Sequence, residues 1–200
     1  MRVVGLTGSI GMGKSETARM FMDAGIPVFD ADQIVRGLQE KNGPALPLIE
    51  AAFPGSVDKG VLDRGKLGSL VFANPAAKKK LEAIMHPMVG EARASFFEKA
   101  AASGAPFVVL DVPLLFETGG NAACDRVIVV SAPADVQRSR VLARPGMTEE
   151  KFEHILGLQM PDVEKKARAD YIIDTGHGLD HARGQVAEII QEMKEVSERA

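Results

Sequence analysis

Five short apolar runs punctuate the chain: RVVGLT (2–7), IPVFD (26–30), PFVVLDV (106–112), RVIVVSA (126–132) and DYIIDT (170–175). They carry little polar alternation, the pattern of strands buried on both faces in a parallel sheet covered by helices. Between the first two lies KSETARMFMDA (14–24), helix-like in its spacing, so the first thirty residues predict a βαβ unit. From 33 to 105 the strand signal disappears. There Asp63 precedes RGKLGSLVFA, Asn74-Pro75 reads as an N-cap with proline at the first helical position, and HPMVGEARASFFEKAAASG reads as a further helix ending at glycine. A second excursion, 134–165, predicts two helices broken at Pro145-Gly146, with Thr148 as a cap. From Leu179 to about Ser197, the apolar residues Val186, Ile189, Ile190 and Met193 recur at helical spacing and predict a helix packed on the sheet.

These elements divide the chain into a sheet-forming core (1–32, 106–133 and 166–200), a helical insertion (33–105) and a lid-like segment (134–165). Two hundred residues, 46% of them hydrophobic, suffice to bury a sizeable core. A net charge of −3 argues against a basic surface steering the molecule onto nucleic acid or anionic lipid. Cys124 is the only cysteine, so an intramolecular disulfide is excluded and a reducing compartment fits. The longest apolar run, FVVLDVPLLF (107–116), is too short to span a bilayer, and the amino terminus lacks the pattern of a signal peptide. The expectation is a cytoplasmic protein, monomeric, without nucleic-acid or membrane partners. Lys78-Lys79-Lys80 reads as a solvated helix face.

The chemistry enters at Gly8-Ser9-Ile10-Gly11-Met12-Gly13-Lys14-Ser15, which fits G-x-x-x-x-G-K-[ST] between a strand signal and a helix signal. Such a loop turns backbone N–H groups toward phosphate oxygens, and the following helix points its positive end at the same anion. Lys14 then reaches the β- and γ-phosphates and Ser15 offers an oxygen to Mg²⁺. The predicted fold is therefore α/β, a P-loop NTPase three-layer α/β/α arrangement with a parallel sheet.

FDAD ends the second strand signal, and ligands of open parallel sheets sit beyond the carboxyl ends of the strands. Asp30 and Asp32 are therefore candidates to accept a proton from, or orient, an attacking hydroxyl, while one of them is also a natural helix cap. Asp111 ends another strand signal, where an acid reaches Mg²⁺ directly or through water; a turn carboxylate is the plainer alternative. Glu117 is a weaker candidate. Arg140 and Arg144 are four apart on a helix, with Arg138 nearby, and suit a clamp on triphosphate oxygens. His86, in IMHPM, is either a helix-end residue or part of a second-substrate site within the insertion.

With these residues assembled, the chain resembles the dephospho-coenzyme A kinases. The resemblance covers nearly its whole length through VGLTGSIGMGKS, FDAD, VLDRGKLGSLVF, LEAIMHPMV, VVLDVPLLFE, DRVIVVSAPADVQRSRVLAR, EHILGLQMP and ADYIIDTG. It implies ATP-dependent phosphorylation of the ribose 3′-hydroxyl of dephospho-coenzyme A, the last step of coenzyme A synthesis, with ATP as co-substrate and Mg²⁺. It also implies that Gly8, Gly11, Met12, Gly13, Lys14, Ser15 and Glu16 carry ATP, with Arg144 against the nucleotide. Asp32, Lys14 and Arg140 then have catalytic roles, Asp32, Arg64 and His86 face the acceptor, and Ser15 and Asp111 serve the metal. The chain has Ser9 where the family often has Gly, Met12 where Ser is common, and Thr175 where Asn is frequent.

Two other readings compete. A P-loop kinase of another small metabolite or nucleotide shares the donor chemistry and differs in the insertion. A nucleotide-dependent switch is disfavoured by the lack of D-x-x-G and N-K-x-D sequences.

Overall fold

The computed structural model describes residues 1–72 and 74–198. Ala73, which closes the RGKLGSLVFA stretch, lies outside the described residues, as do residues 199–200 at the end of the expected core segment. In chain order the elements are β1 (Arg2–Thr7), α1 (Lys14–Asp23), β2 (Val28–Asp30), α2 (Ala31–Leu38), α3 (Leu46–Ala52), β3 (Val57–Asp58), β4 (Val61–Leu62), α4 (Arg64–Phe72) and α5 (Pro75–Ala102). They continue with β5 (Phe107–Asp111), β6 (Arg126–Ser131), α6 (Ala134–Leu142), α7 (Glu149–Gly157), α8 (Asp162–Ala167), β7 (Tyr171–Asp174) and α9 (Leu179–Glu198). The chain forms two compact units, Met1–Phe29 with Ala100–Ala200, and Asp30–Lys99.

The first unit is built on the five expected strands, in the order β2-β5-β1-β6-β7. β1 pairs in parallel with β5 and β6, and β6 in parallel with β7. Strand alternation sends successive side chains to opposite faces. Ile128 and Val130 therefore join Val4, Leu6, Phe107 and Val109 under α1 and α9, while Val127 and Val129 meet Leu115 and Phe116 on the other face. α9 contributes Val186, Ile189, Ile190 and Met193, the residues whose spacing predicted its buried stripe. Phe21 of α1 and Phe107 of β5 are fully buried and meet edge to face, with ring centroids 6.5 Å apart at 82°. Such a pair adds about 0.5–1.5 kcal/mol beyond its area burial. It docks α1 on the sheet one helix length after the glycine-rich loop.

The second unit has its own core of Leu46, Ile49, Phe53, Leu62, Leu67 and Met85. Asn74 caps α5, its Oδ1 accepting the Ala76 and Ala77 N–H groups at 3.1 Å each. Two features here depart from expectation. The helix begun at Pro75 and the one read from HPMVGEARASFFEK are a single 28-residue helix that runs through Pro87, because proline removes one backbone hydrogen bond and flanking turns carry the helix across the gap. A two-stranded antiparallel hairpin, β3 with β4, also interrupts the helical run. Its turn residues Lys59 and Gly60 have φ of 48° and 74°, the doubly positive pair that closes a two-residue hairpin with the right twist. Strands this short have too few residues for an apolar pattern, but Lys59-Gly60 between Val57-Asp58 and Val61-Leu62 was a readable turn signal.

The segment after α6 holds one more helix than expected, α8, and its Lys165 is fully buried. Lys165 Nζ pairs with Glu117 at 2.9 Å, and the same carboxylate oxygen accepts the Met160 N–H at 2.8 Å. Burial pushes the Glu117 carboxyl up, but the Lys165 and Met160 hydrogen bonds outweigh it and hold the group below its ordinary value of 4.5. A carboxyl depressed in the folded state contributes stability that is complete above its unfolded value and is lost as pH falls through the folded one. Glu117→Gln leaves a buried ammonium without its counter-charge and is expected to lower stability by about 3 kcal/mol. Denaturant titrations across pH check this: the wild-type advantage persists above about pH 4.5 and disappears in more acid solution.

Candidate active site

The glycine-rich loop leaves β1 after Thr7, whose Oγ1 donates to Pro113 O at 3.0 Å and ties the loop's root to the turn after β5. Gly11 and Gly13 adopt φ of 78° and 93°, conformations that glycine reaches without steric cost. Gly13 is also the N-cap of α1, and no side chain caps this helix. The start of α1, where the first N–H groups lack intrahelical partners and the helix dipole favours negative charge, thus has no side-chain cap.

The loop's outer side is held by side chains from elsewhere in the first unit. Gln159 Oε1 accepts the Ile10 N–H at 3.0 Å, and Gln137 Nε2 donates to Ile10 O at 2.8 Å. Thr175 Oγ1 donates to Met12 O at 2.8 Å. The Met12 thioether accepts the Ala132 N–H at 3.0 Å, so this variable position of the motif fastens the loop to the segment after β6. Ser9 Oγ is buried and makes no hydrogen bond within the described residues; the structure offers no reason for a hydroxyl there.

Lys14 forms an ion pair with Asp111 at the end of β5. Asp111 is 5% exposed and Lys14 is 15% exposed. The β1–β5 register sets Leu6 beside Asp111, which brings a carboxylate from an apolar strand to the root of the loop. Beside the loop, a cleft of about 190 Å³ is bordered by Gly11, Gly13, Glu16, Arg140, Arg144 and Thr175. Arg140 donates from Nη1 to Thr175 Oγ1 at 2.9 Å and from Nη2 to Thr175 O at 2.7 Å. Arg138 instead pairs with Glu149 across α6 and α7.

In the second unit, Asp30 caps α2: its Oδ1 accepts the Gln33 N–H at 2.9 Å, and Arg36 lies 3.8 Å from its other oxygen. Asp32 stands exposed in the first turn of the same helix. Arg64 donates to Gln39 Oε1 at 3.2 Å. Gln39 and His86 both border a largely apolar cavity of about 860 Å³, lined also by Val71, Phe72 and Met85 and by the charged side chains of Lys78, Glu82 and Arg93.

A family model described as dephospho-CoA kinase matches residues 2–181. The chain belongs to the dephospho-CoA kinase family. It is 57% identical over 194 residues to a dephospho-CoA kinase of Mesorhizobium japonicum, covering 97% of this chain and 98% of that protein. Among solved structures, TT1252 from Thermus thermophilus superimposes with a TM-score of 0.76 at 33% identity, covering 96% of each chain. Dephospho-CoA kinase from Campylobacter jejuni gives 0.68 at 27% identity, covering 96% of this chain and 97% of that one.

In this member of the family, the structure gathers the loop residues Gly8 to Ser15, Glu16, Asp111, Arg140 and Arg144 in the first unit. Asp32, Arg64 and His86 belong to the second. Among the described residues no group of three or more His, Cys, Asp or Glu side chains could hold a metal ion. Ser15 and Asp111 each carry a hard oxygen of the kind Mg²⁺ takes from a protein when substrate phosphates and water complete its shell. Gln137 in α6 and Gln159, just after α7 in the EHILGLQMP motif, had no role assigned from sequence, because an amide side chain carries no pattern that announces a partner more than a hundred residues away.

A methyl group on Gly8 would lie 2.7 Å from the carbonyl oxygen of Val130 in β6. Backbone cannot yield as a side-chain tip does, so Gly8→Ala should push the loop off the sheet. The expected result is a loss of about 1–3 kcal/mol of stability, measured by denaturant melts, with weakened ADP binding measured by calorimetry.

Proposed function

We infer that the protein transfers the γ-phosphoryl group of ATP to the ribose 3′-hydroxyl of dephospho-coenzyme A, producing coenzyme A and ADP. The observation that carries this reading is the family match across residues 2–181, which includes both a phosphate-binding loop and the unit that holds Asp32, Arg64 and His86.

Phosphoryl transfer requires positioning and neutralisation of charge more than covalent chemistry. The inward N–H groups of the loop and the uncapped start of α1 take the β- and γ-phosphate oxygens. Lys14 turns from its Asp111 partner toward those oxygens. Ser15 and Asp111 would hold Mg²⁺, which when bound to ATP draws charge from the β- and γ-phosphates. Arg140, fixed by Thr175, faces the phosphates, and Arg144 lies against the nucleotide in the cleft that both border.

On the acceptor side, Asp32 takes the 3′-hydroxyl proton as that oxygen bonds to phosphorus and the bond to the ADP oxygen breaks. Asp32 suits the role better than Asp30, because the Asp30 carboxylate is committed to the Gln33 N–H and faces Arg36. His86, and Arg64 through its bond to Gln39, bind the acceptor at the cavity of the second unit, whose largely apolar lining suits a cofactor precursor with a long aliphatic arm.

Lys14→Ala and Asp32→Asn are each expected to lower kcat by about a hundred- to a thousandfold, with unchanged circular dichroism. Asp30→Asn keeps a capping oxygen and should cost turnover far less; equal losses at both positions would remove the distinction drawn between them. A coupled ADP-release assay with a panel of acceptors at fixed Mg-ATP tests the acceptor. Turnover of dephospho-coenzyme A well above the ATP-only background is expected, and a stronger response to another hydroxylated metabolite would replace the assignment.

A further inference from the structure

Thr175 is 7% exposed and immediately follows β7, where the sequence marks only a departure from the family's frequent Asn. Every polar atom of this residue is engaged. Its N–H donates to Ser131 O at 2.9 Å, its carbonyl accepts Arg140 Nη2 at 2.7 Å, and its hydroxyl accepts Arg140 Nη1 at 2.9 Å. A hydroxyl has one proton to give. Met12 O at 2.8 Å and Ser131 O at 3.3 Å compete for it, and the shorter contact is to the phosphate-binding loop.

The Met12 carbonyl shares a planar trans peptide with the Gly13 N–H, and in such a unit the C=O and N–H point in opposite directions. Drawing Met12 O toward Thr175 therefore turns the Gly13 N–H away from it, toward the side from which an anion approaches. Gln137 does the same two peptides earlier: by holding Ile10 O, it turns the Gly11 N–H away from itself. The hydrogen-bond chain from the Arg140 guanidinium through the Thr175 hydroxyl to the Met12 carbonyl is polarised by the cation at its head, which strengthens each link. The two Arg140 bonds form a fork that uses two of the five guanidinium donors and fixes the plane of the group.

We propose that Thr175 is a positioning residue whose single hydroxyl sets two phosphate-binding groups at once: the Gly13 N–H of the loop and the guanidinium of Arg140. Both are oriented before nucleotide arrives, so the ordering cost is met on folding rather than on binding. The proposal rests on the reading of the cleft beside the loop as the ATP site. It predicts coupling between the Gly13 N–H and the Arg140 guanidinium, two groups far apart in sequence that the Thr175 hydroxyl links.

The test compares Thr175→Val, which keeps the shape and removes the hydroxyl, with Thr175→Ser, which keeps the hydroxyl. Loss of one hydrogen bond in a charge-assisted chain is expected to weaken ADP and ATP binding by about tenfold, measured by calorimetry. In steady-state assays KM for ATP rises accordingly while KM for dephospho-coenzyme A stays within about twofold, and Thr175→Ser recovers most of the loss. In an Arg140→Ala background the Thr175→Val penalty shrinks, because half of what the hydroxyl orients is already absent. Unchanged nucleotide affinity in Thr175→Val, an equal loss in Thr175→Ser, or a parallel rise in both KM values overturns the proposal; the last two are what a packing role would give. Thr175→Ala is read by the same ratios if the valine variant does not fold. Wild-type protein that binds ADP but does not turn over dephospho-coenzyme A would instead refute the functional reading, and the affinity comparison would still decide the role of Thr175.

Discussion

The orientation of a few peptide planes in one glycine-rich loop is the constraint on which the rest of the first unit depends. A phosphate-binding loop needs its N–H groups turned toward the ligand, and a planar peptide then sends each partner carbonyl the other way, into protein. Those carbonyls need donors. Gln137 and Thr175 supply them to Ile10 and Met12, and Gln159 holds the Ile10 N–H on the same outer side. The glycines permit the conformation; these side chains select it.

That requirement explains features which otherwise look unrelated. Thr175 follows β7, Gln137 is in α6 and Gln159 follows α7, so the loop becomes a meeting point for three separate segments. The buried Lys165–Glu117 pair holds the Met160 N–H, next to Gln159 in the chain, and so steadies that contact. A buried ion pair is weak support for stability as such. Here it has a local geometric effect, fixing the backbone from which a loop-holding side chain projects. The Phe21–Phe107 contact works from the other side by docking the helix whose uncapped start follows the loop.

The ion pair between Lys14 and Asp111 belongs to the same logic of prearranged charge. A carboxylate at 5% exposure is costly without a partner, and the lysine that neutralises it is the one the motif assigns to phosphate. In the proposed function, nucleotide binding is then an exchange of anionic partners around Lys14 rather than the capture of a free ammonium from water. The same economy is absent at Asp32, which stands exposed at the start of α2 while Asp30 supplies the cap.

Sequence by itself determined the five strands, the loop and the family, because each is written in local pattern: continuous apolar runs, a fixed glycine and lysine spacing, and motifs in order along the chain. It also carried the caps at Asn74 and Thr148, since a capping oxygen acts within three residues of its own position. Division of labour between Asp30 and Asp32 was open in the sequence, where both end the same strand signal; the hydrogen bond to Gln33 supplies a distinction that spacing alone could not. The continuity of α5 through Pro87 was hidden because a proline reads locally as a helix break, whereas the hairpin of β3 and β4 did carry a local turn signal in Lys59-Gly60. Tertiary structure alone decided what holds the loop, because Gln137, Gln159 and Thr175 meet it across separations of 127, 149 and 163 residues. No local pattern encodes a hydrogen bond whose partners come together only when the sheet is assembled.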